Sequence, residues 1–171
     1  MQMVKNILIS LFFIWFAILI FMPKQKFYYT LERELLKQGV EINEKSIEEG
    51  IFSLNITDAK IYVKGIEVAN IDEINFFTLL FYSNVTISTI IIDDYLKEYT
   101  PGDIDKLITM HSILAPLKAF VTISGDFGIA EGIVDVKNRD LRIDIVDIEK
   151  VKSIKSMLKK DEKGWYYETS F

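Results

Sequence analysis

The chain has 171 residues, 50% of them hydrophobic, a formal net charge of −5 and no cysteine. The absence of thiols excludes a disulfide framework, a lipoprotein anchor and a thiolate metal site, and a single histidine leaves no His pair for a metal. The acidic balance argues against a nucleic-acid partner.

Residues 7–22 are apolar throughout except for Ser10 and carry no charge. As a helix this run spans roughly 24 Å, and residues 3–6, with Lys5 extending outward, bring it close to the ~30 Å hydrocarbon core of a bilayer. Ile7, Leu11, Phe12, Trp15, Leu19 and Phe21 mark the expected anchor. A cleaved secretory signal would need small residues near its end, where this chain has Ile18, Leu19, Ile20, Phe21 and Met22, so residues 1–26 read as an uncleaved transmembrane anchor ended by Pro23. Lys5 on one side stands against Lys24, Lys26 and Arg33 on the other, and charge alone does not set the orientation. Phe27, Tyr28 and Tyr29 form an aromatic belt at the far interface. All 25 acidic residues and 19 of the 20 basic ones lie beyond the apolar run, which gives that part a net charge of −6.

Residues 27–171 are expected to form one domain. A short helix over 28–38 places Leu31, Leu35 and Leu36 on one side and stops at Gly39. The period then changes to two. Val40 and Ile42 alternate with polar residues, as do Phe52, Leu54 and Ile56, and Ile61 and Val63 follow across a turn at Thr57-Asp58. Further strands are expected over 66–71, 74–82 and 85–92. A helix is expected over 103–117, because Pro101-Gly102 breaks the strand, Asp103 can cap, and Ile104, Leu107, Ile108 and Leu114 recur at helical spacing. Strands resume over 119–124, 128–136 and 141–146, a last helix covers 148–160, and the alternating aromatics of 165–171 close the sheet. The fold class is α+β: an N-terminal transmembrane helix followed by a largely antiparallel, twisted β-sheet domain with two or three packing helices.

Residues 49–63 align without a gap on 131–145, sharing Glu, Gly and Ile at the start, and this predicts a strand-turn-strand unit used twice. The apolar face of those strands, including Phe52, Leu54, Ile61, Val134, Val136 and Ile143, is a candidate interaction surface if the helices leave it open. Lys152, Lys155 and Lys159 belong to a basic amphipathic stretch that could meet anionic headgroups or an acidic partner. Chemistry-bearing constellations are few. His111 lacks a nucleophile elbow, Asp93-Asp94 and Asp103/Asp105 sit where carboxylates cap turns, and Asp126-Phe127-Gly128 reads as a hairpin turn. No catalytic, cofactor-binding or metal residues are assigned, and the expected role is non-enzymatic.

The anchor, the proline and short helix, the Glu49-Gly-Ile-Phe-Ser-Leu-Asn-Ile56 stretch, the Ile71-Asp-Glu-Ile-Asn-Phe76 strand, and the 125–136 hairpin followed by Leu141-Arg-Ile-Asp-Ile145 together resemble the AsmA-like group. Within it the pattern is similar to the type II secretion system protein N family. The resemblance implies a single-pass anchor in the bacterial inner membrane with the sheet in the periplasm. The expected function is a structural component of an envelope-spanning machine, such as a secretion system or a flagellar motor, acting through protein–protein contacts, and the alternative that the resemblance also implies is lipid binding or transfer along an apolar groove. The expected partners are other membrane or periplasmic subunits, further copies of the chain, or lipid, reached through protein–protein contact, strand addition or acyl-chain burial.

Overall fold

The computed structural model describes residues 2–162 and 164–171. Two helices come first, α1 (Gln2–Phe21) and α2 (Lys24–Lys37), separated by Met22 and Pro23. Proline fixes its φ and disfavours helical conformation in the residue before it, so the chain bends where the apolar run ends. Gly39, at φ +81°, takes the left-handed conformation that stops α2, and its amide donates to Leu36 O.

Eleven strands then form one antiparallel sheet among the described residues: β1 (Val40–Asn43), β2 (Ser46–Glu49), β3 (Ser53–Val63), β4 (Ile66–Thr78), β5 (Tyr82–Ile92), β6 (Ile104–Ser112), β7 (Lys118–Gly125), β8 (Gly128–Asp135), β9 (Asp140–Ile145), β10 (Lys159–Asp161) and β11 (Gly164–Ser170). From β3 to β9 each strand pairs with the next, through a tight turn everywhere except the longer connection 93–103 between β5 and β6; β1 and β2 share the free side of β3, and β11 lies between β9 and β10. The architecture is thus an apolar helix, a large antiparallel sheet and a second helix laid on one face.

Four neighbouring strands carry the same irregularity. In β3 the core residues Leu54 and Ile56 are followed by Ala59, after the polar pair Thr57-Asp58. Opposite them, Ile74 and Ile71 are separated by Asp72-Glu73; in β5, Ile87 and Ile90 by Ser88-Thr89; in β6, Leu107 and Ile104 by Asp105-Lys106. The ladder skips Asp58, Asp72, Thr89 and Asp105, which fall in one row across the sheet, and Asp58 and Thr89 have positive φ. A single skipped residue in one strand would turn its apolar set to the solvent face. Because all four strands skip together, the apolar side chains stay on one face on both sides of the row.

This row corrects two expectations. The turn at Thr57-Asp58 is an irregularity inside the continuous strand β3, and the helix expected over 103–117 is strand β6 with the tight connection that follows it. The Ile104-to-Leu107 spacing of three, which suggested a helix, is produced by the skip at Asp105. The repeat also fails as a structural unit, since 49–63 contains one long strand whereas 131–145 folds as the β8–β9 hairpin. The helix expected over 148–160 is replaced by 3₁₀ turns at Ile148–Lys150 and Lys152–Met157, followed by β10. A 3₁₀ turn brings i and i+3 to one side, which suits Val151 and Ile154, and the Ile154 amide donates to Val151 O at 3.3 Å.

The core is split. Ile42, Leu54, Ile56, Ala59 and Ile71 form one buried cluster, against which Tyr28 and Leu35 of α2 pack. Phe127, Ala130, Val151 and Leu158 form a second, joined by Ile143, Ile145, Trp165 and Tyr167.

Candidate apolar site on the sheet face

The helix α1 is long and apolar enough to cross a membrane, the one such helix among the described residues. Ile7, Leu11, Phe12 and Phe21 are exposed along it, as an apolar helix in lipid requires, while Leu19 is fully buried against the rest of the chain. Trp15, one turn earlier, donates its indole N–H to Leu79 O at 3.3 Å and stacks on Phe81 with ring centroids 6.4 Å apart.

Where α1 passes into α2 the sheet face is hollow. A pocket of about 340 Å³ is lined by Met22, Lys24, Phe27, Tyr28 and Leu31 from the helical side, and by Ile42, Leu54, Ile56, Ile74, Phe76, Val85 and Ile87 from the sheet. Lys24 and Tyr28 are its only lining residues with polar side-chain atoms. Lys24 is buried, its backbone amide donates to Glu49 Oε1 at 3.0 Å, and its ammonium lies 3.9 Å from the same carboxylate and 3.4 Å from Met22 O. Tyr28 donates its hydroxyl to Glu44 Oε2 at 3.2 Å. Burial first, and the Glu44 carboxylate second, push the Tyr28 phenol well above its ordinary range. Burial also raises Glu32, with help from the Glu44 and Glu41 carboxylates.

A second pocket of about 270 Å³ lies at the other end of the face, between Pro101, Ile104, Ile123, Phe127, Ala130, Ile143, Ile145, Val151, Ile154, Met157 and Tyr167. Tyr167 is its only lining residue with a polar side-chain atom. The two hollows are the natural result of covering a wide sheet with two short segments, one near each side.

The candidate apolar residues divide between these places. Leu54 is buried in the first cluster with Ile61 packed on it, Phe52 is half-buried beside β3, Ile143 lines the second pocket, Val134 is half-buried in β8, and Val136 is exposed at the β8–β9 turn. Sequence reasoning missed the helical wall of the first pocket, Met22 and Leu31, and the sheet wall formed by Val85 and Ile87. The apolar-polar-polar-apolar spacing of 87–90 was the available signal. It also missed Phe127, which the turn motif concealed and which is buried in the second cluster.

The basic candidates do not share a helical face. Lys155 lies 5.6 Å from the Trp165 ring centroid, Lys159 is in β10 and donates to Glu168 Oε2 at 2.8 Å, and the Lys152 side chain lies outside the described residues. Neighbouring carboxyl and imidazole groups are engaged in holding loops. Asp103 accepts from the Ile92 amide at 2.8 Å, Asp126 from the Asp103 amide at 3.0 Å, Asp93 from the Tyr95 amide at 3.3 Å, and His111 Nε2 lies 3.1 Å from Pro116 O. Among the described residues no group of three or more His, Asp or Glu is placed to hold a metal ion. The sheet face therefore offers almost wholly apolar contact, its one lining lysine being buried against Glu49. No family model, curated protein or solved structure matches the chain.

Proposed function

We propose that this protein is anchored in the bacterial inner membrane by α1, carries its sheet in the periplasm, and binds lipid acyl chains on the apolar face without catalysing a reaction. The observation that carries the reading is the 340 Å³ pocket beside Met22 and Lys24, which opens where the apolar helix ends. Its volume lies at the small end of the range typical of ligand sites, about 300–1,000 Å³, and its lining is almost wholly apolar. The resemblance of the strand pattern to the AsmA-like group supports the same reading.

A structural role in an envelope machine through strand addition fits the sheet less well. At one side β10 is three residues long and reads Lys-Lys-Asp, and at the other β1 and β2 are four residues each and carry Glu41, Glu48 and Glu49. Short, charged edge strands oppose pairing with a further strand.

Purification of the full chain from its own cell in mild detergent, followed by lipid mass spectrometry and protein identification, tests this. Phospholipid at about one per chain is expected, and it should be lost in Leu31→Glu, which places a charge on an exposed position of the pocket wall and leaves the fold intact by circular dichroism. Background lipid together with stoichiometric envelope subunits would overturn the lipid reading in favour of the structural role.

A further inference from the structure

The two ends of the sheet differ in chemistry. One end holds the connections at 93–103 and 126–127, with Asp93, Asp94, Lys97, Glu98 and Asp126. At the other end, the β4–β5 turn at 79–81 and the β6–β7 connection at 113–117 contain no charged residue. These apolar tips are tied into one rim: the Ile113 amide donates to Phe81 O at 2.8 Å, and the Val136 amide to Leu117 O at 2.9 Å. Leu80, Phe81, Ile113, Leu114, Leu117 and Val136 are exposed along it, Leu114 by 93%. None of them belongs to either core cluster. A contiguous apolar rim of this kind marks an interaction site.

The position of α1 says what covers the rim. Trp15 holds the β4–β5 tip through the bond to Leu79 O and the stack on Phe81. Six residues separate Trp15 from the end of α1 at Phe21, roughly 9 Å along the axis at the α-helical rise. With 20 residues, α1 is about 30 Å long, equal to the hydrocarbon thickness, so a spanning α1 has no turns to leave outside the bilayer. A helix that keeps Trp15 within the apolar layer takes the attached tip with it.

We infer that the apolar rim inserts into the bilayer that α1 crosses, giving the domain a second, monotopic attachment to the membrane. This rests on reading α1 as a membrane span. The β4–β5 and β6–β7 tips meet acyl chains, while Lys118 at the start of β7 and Lys137 and Arg139 in the adjoining β8–β9 turn lie at headgroup level. The attachment fixes the sheet upright on the membrane and brings the pocket beside Met22 to the bilayer surface, so that a chain can enter it from the leaflet without crossing water.

The natural chain has no cysteine, so single cysteines can be labelled with an environment-sensitive fluorophore in the full-length protein. Leu80→Cys and Leu114→Cys report on the rim, Tyr99→Cys on the opposite end of the sheet, and Ile9→Cys on α1; all four positions are exposed. The protein is reconstituted into vesicles of phosphatidylethanolamine and phosphatidylglycerol. The expected result is a blue shift at Leu80 and Leu114, loss of iodide quenching there, and quenching by lipids spin-labelled near the headgroup, with Tyr99 remaining open to iodide. Rim probes as open to iodide as Tyr99, with Ile9 protected, would overturn the inference and leave the anchor standing. Rim probes protected from iodide but not quenched by spin-labelled lipid would overturn it in favour of a protein contact. An Ile9 probe open to iodide would overturn the anchor and the inference together.

Discussion

The two covers of the apolar face work differently. On one side α2, a regular helix of 14 residues, packs Tyr28 and Leu35 onto the cluster around Leu54, yet Leu31 and Leu36 remain exposed and Lys24 is its one buried residue. On the other side the segment 148–158, broken into 3₁₀ turns, buries Val151 to 1% and Leu158 to 9% and meets Phe127 from the β7–β8 turn. Regularity of an element is thus no measure of how deeply it docks. A helix presents a straight ridge to a sheet and touches it along one line, whereas an irregular segment can turn each apolar side chain inward in its own direction.

The comparison can be broken most directly from within the two clusters. Leu54→Ala removes the centre of the first cluster and should cost about 2–5 kcal/mol, while Val151→Ala, a smaller truncation in the second, should cost about 2 kcal/mol. Denaturant unfolding of the full chain in detergent measures both. Since the clusters share no buried residue, the double variant should show additive losses. A coupling above about 0.5 kcal/mol would show that the two covers act as one.

These differences explain what could be read in the sequence. The helix α2 was legible because Leu31 and Leu35 recur at helical spacing and Gly39 marks the stop, and α1 because its apolar run is unbroken. Most strand positions followed from alternation and turns, as with Trp165 and Tyr167 in β11, whereas the order of strands in the sheet was not read from the sequence. The cover at 148–158 was misread because Val151, Ile154 and Leu158 also satisfy a helical period, and no local signal separates an α-helix from successive 3₁₀ turns. In β6 the skip at Asp105 imitates a helical step. The pockets were not legible, since their walls join Leu31 of α2 to Val85 of β5, residues that only the folded sheet brings together.

A sharper test uses a close approach found at the second pocket's side. A Cβ on Gly125 would collide with the Asp103 carbonyl and lie 3.0 Å from Ile104 Cα, both backbone atoms that cannot swing aside. Gly125→Ala should therefore cost about 1–3 kcal/mol. On the other side of the sheet the row of skipped residues predicts a reversal of sign. Thr89 is β-branched with φ +53°, a conformation that costs an L-residue about 1–2 kcal/mol and glycine nothing. Thr89→Gly should raise stability by about 1 kcal/mol, while Thr86→Gly, three positions away in the regular ladder, should lower it by about 1 kcal/mol. Loss of stability in both would place Thr89 in ordinary extended backbone.

The smallest effect separates the covers by pH. Burial, then the carboxylates of Glu44 and Glu41, raise the Glu32 carboxyl above its usual value. The folded state therefore holds this proton more tightly than the unfolded chain, so the contribution is fully present below about pH 4.3 and is lost as pH rises through the folded value. Glu32→Gln removes that loss and should stabilise α2 at neutral pH but change nothing in acid. In β10, just beyond the second cover, the sign is the same but the window lies at the alkaline end of the scale. Glu168 raises Lys159, and its contribution holds below the free lysine value near pH 10.4 and disappears in stronger alkali. Hydrogen exchange of the α2 amides and of the β10–β11 amides, followed across pH with the intrinsic rate divided out, should show α2 loosening between acid and neutral pH while the β10–β11 pair holds until strongly alkaline conditions. Equal pH profiles for the two segments would mean that Glu32 and Lys159 titrate in the folded protein as they do in the free chain.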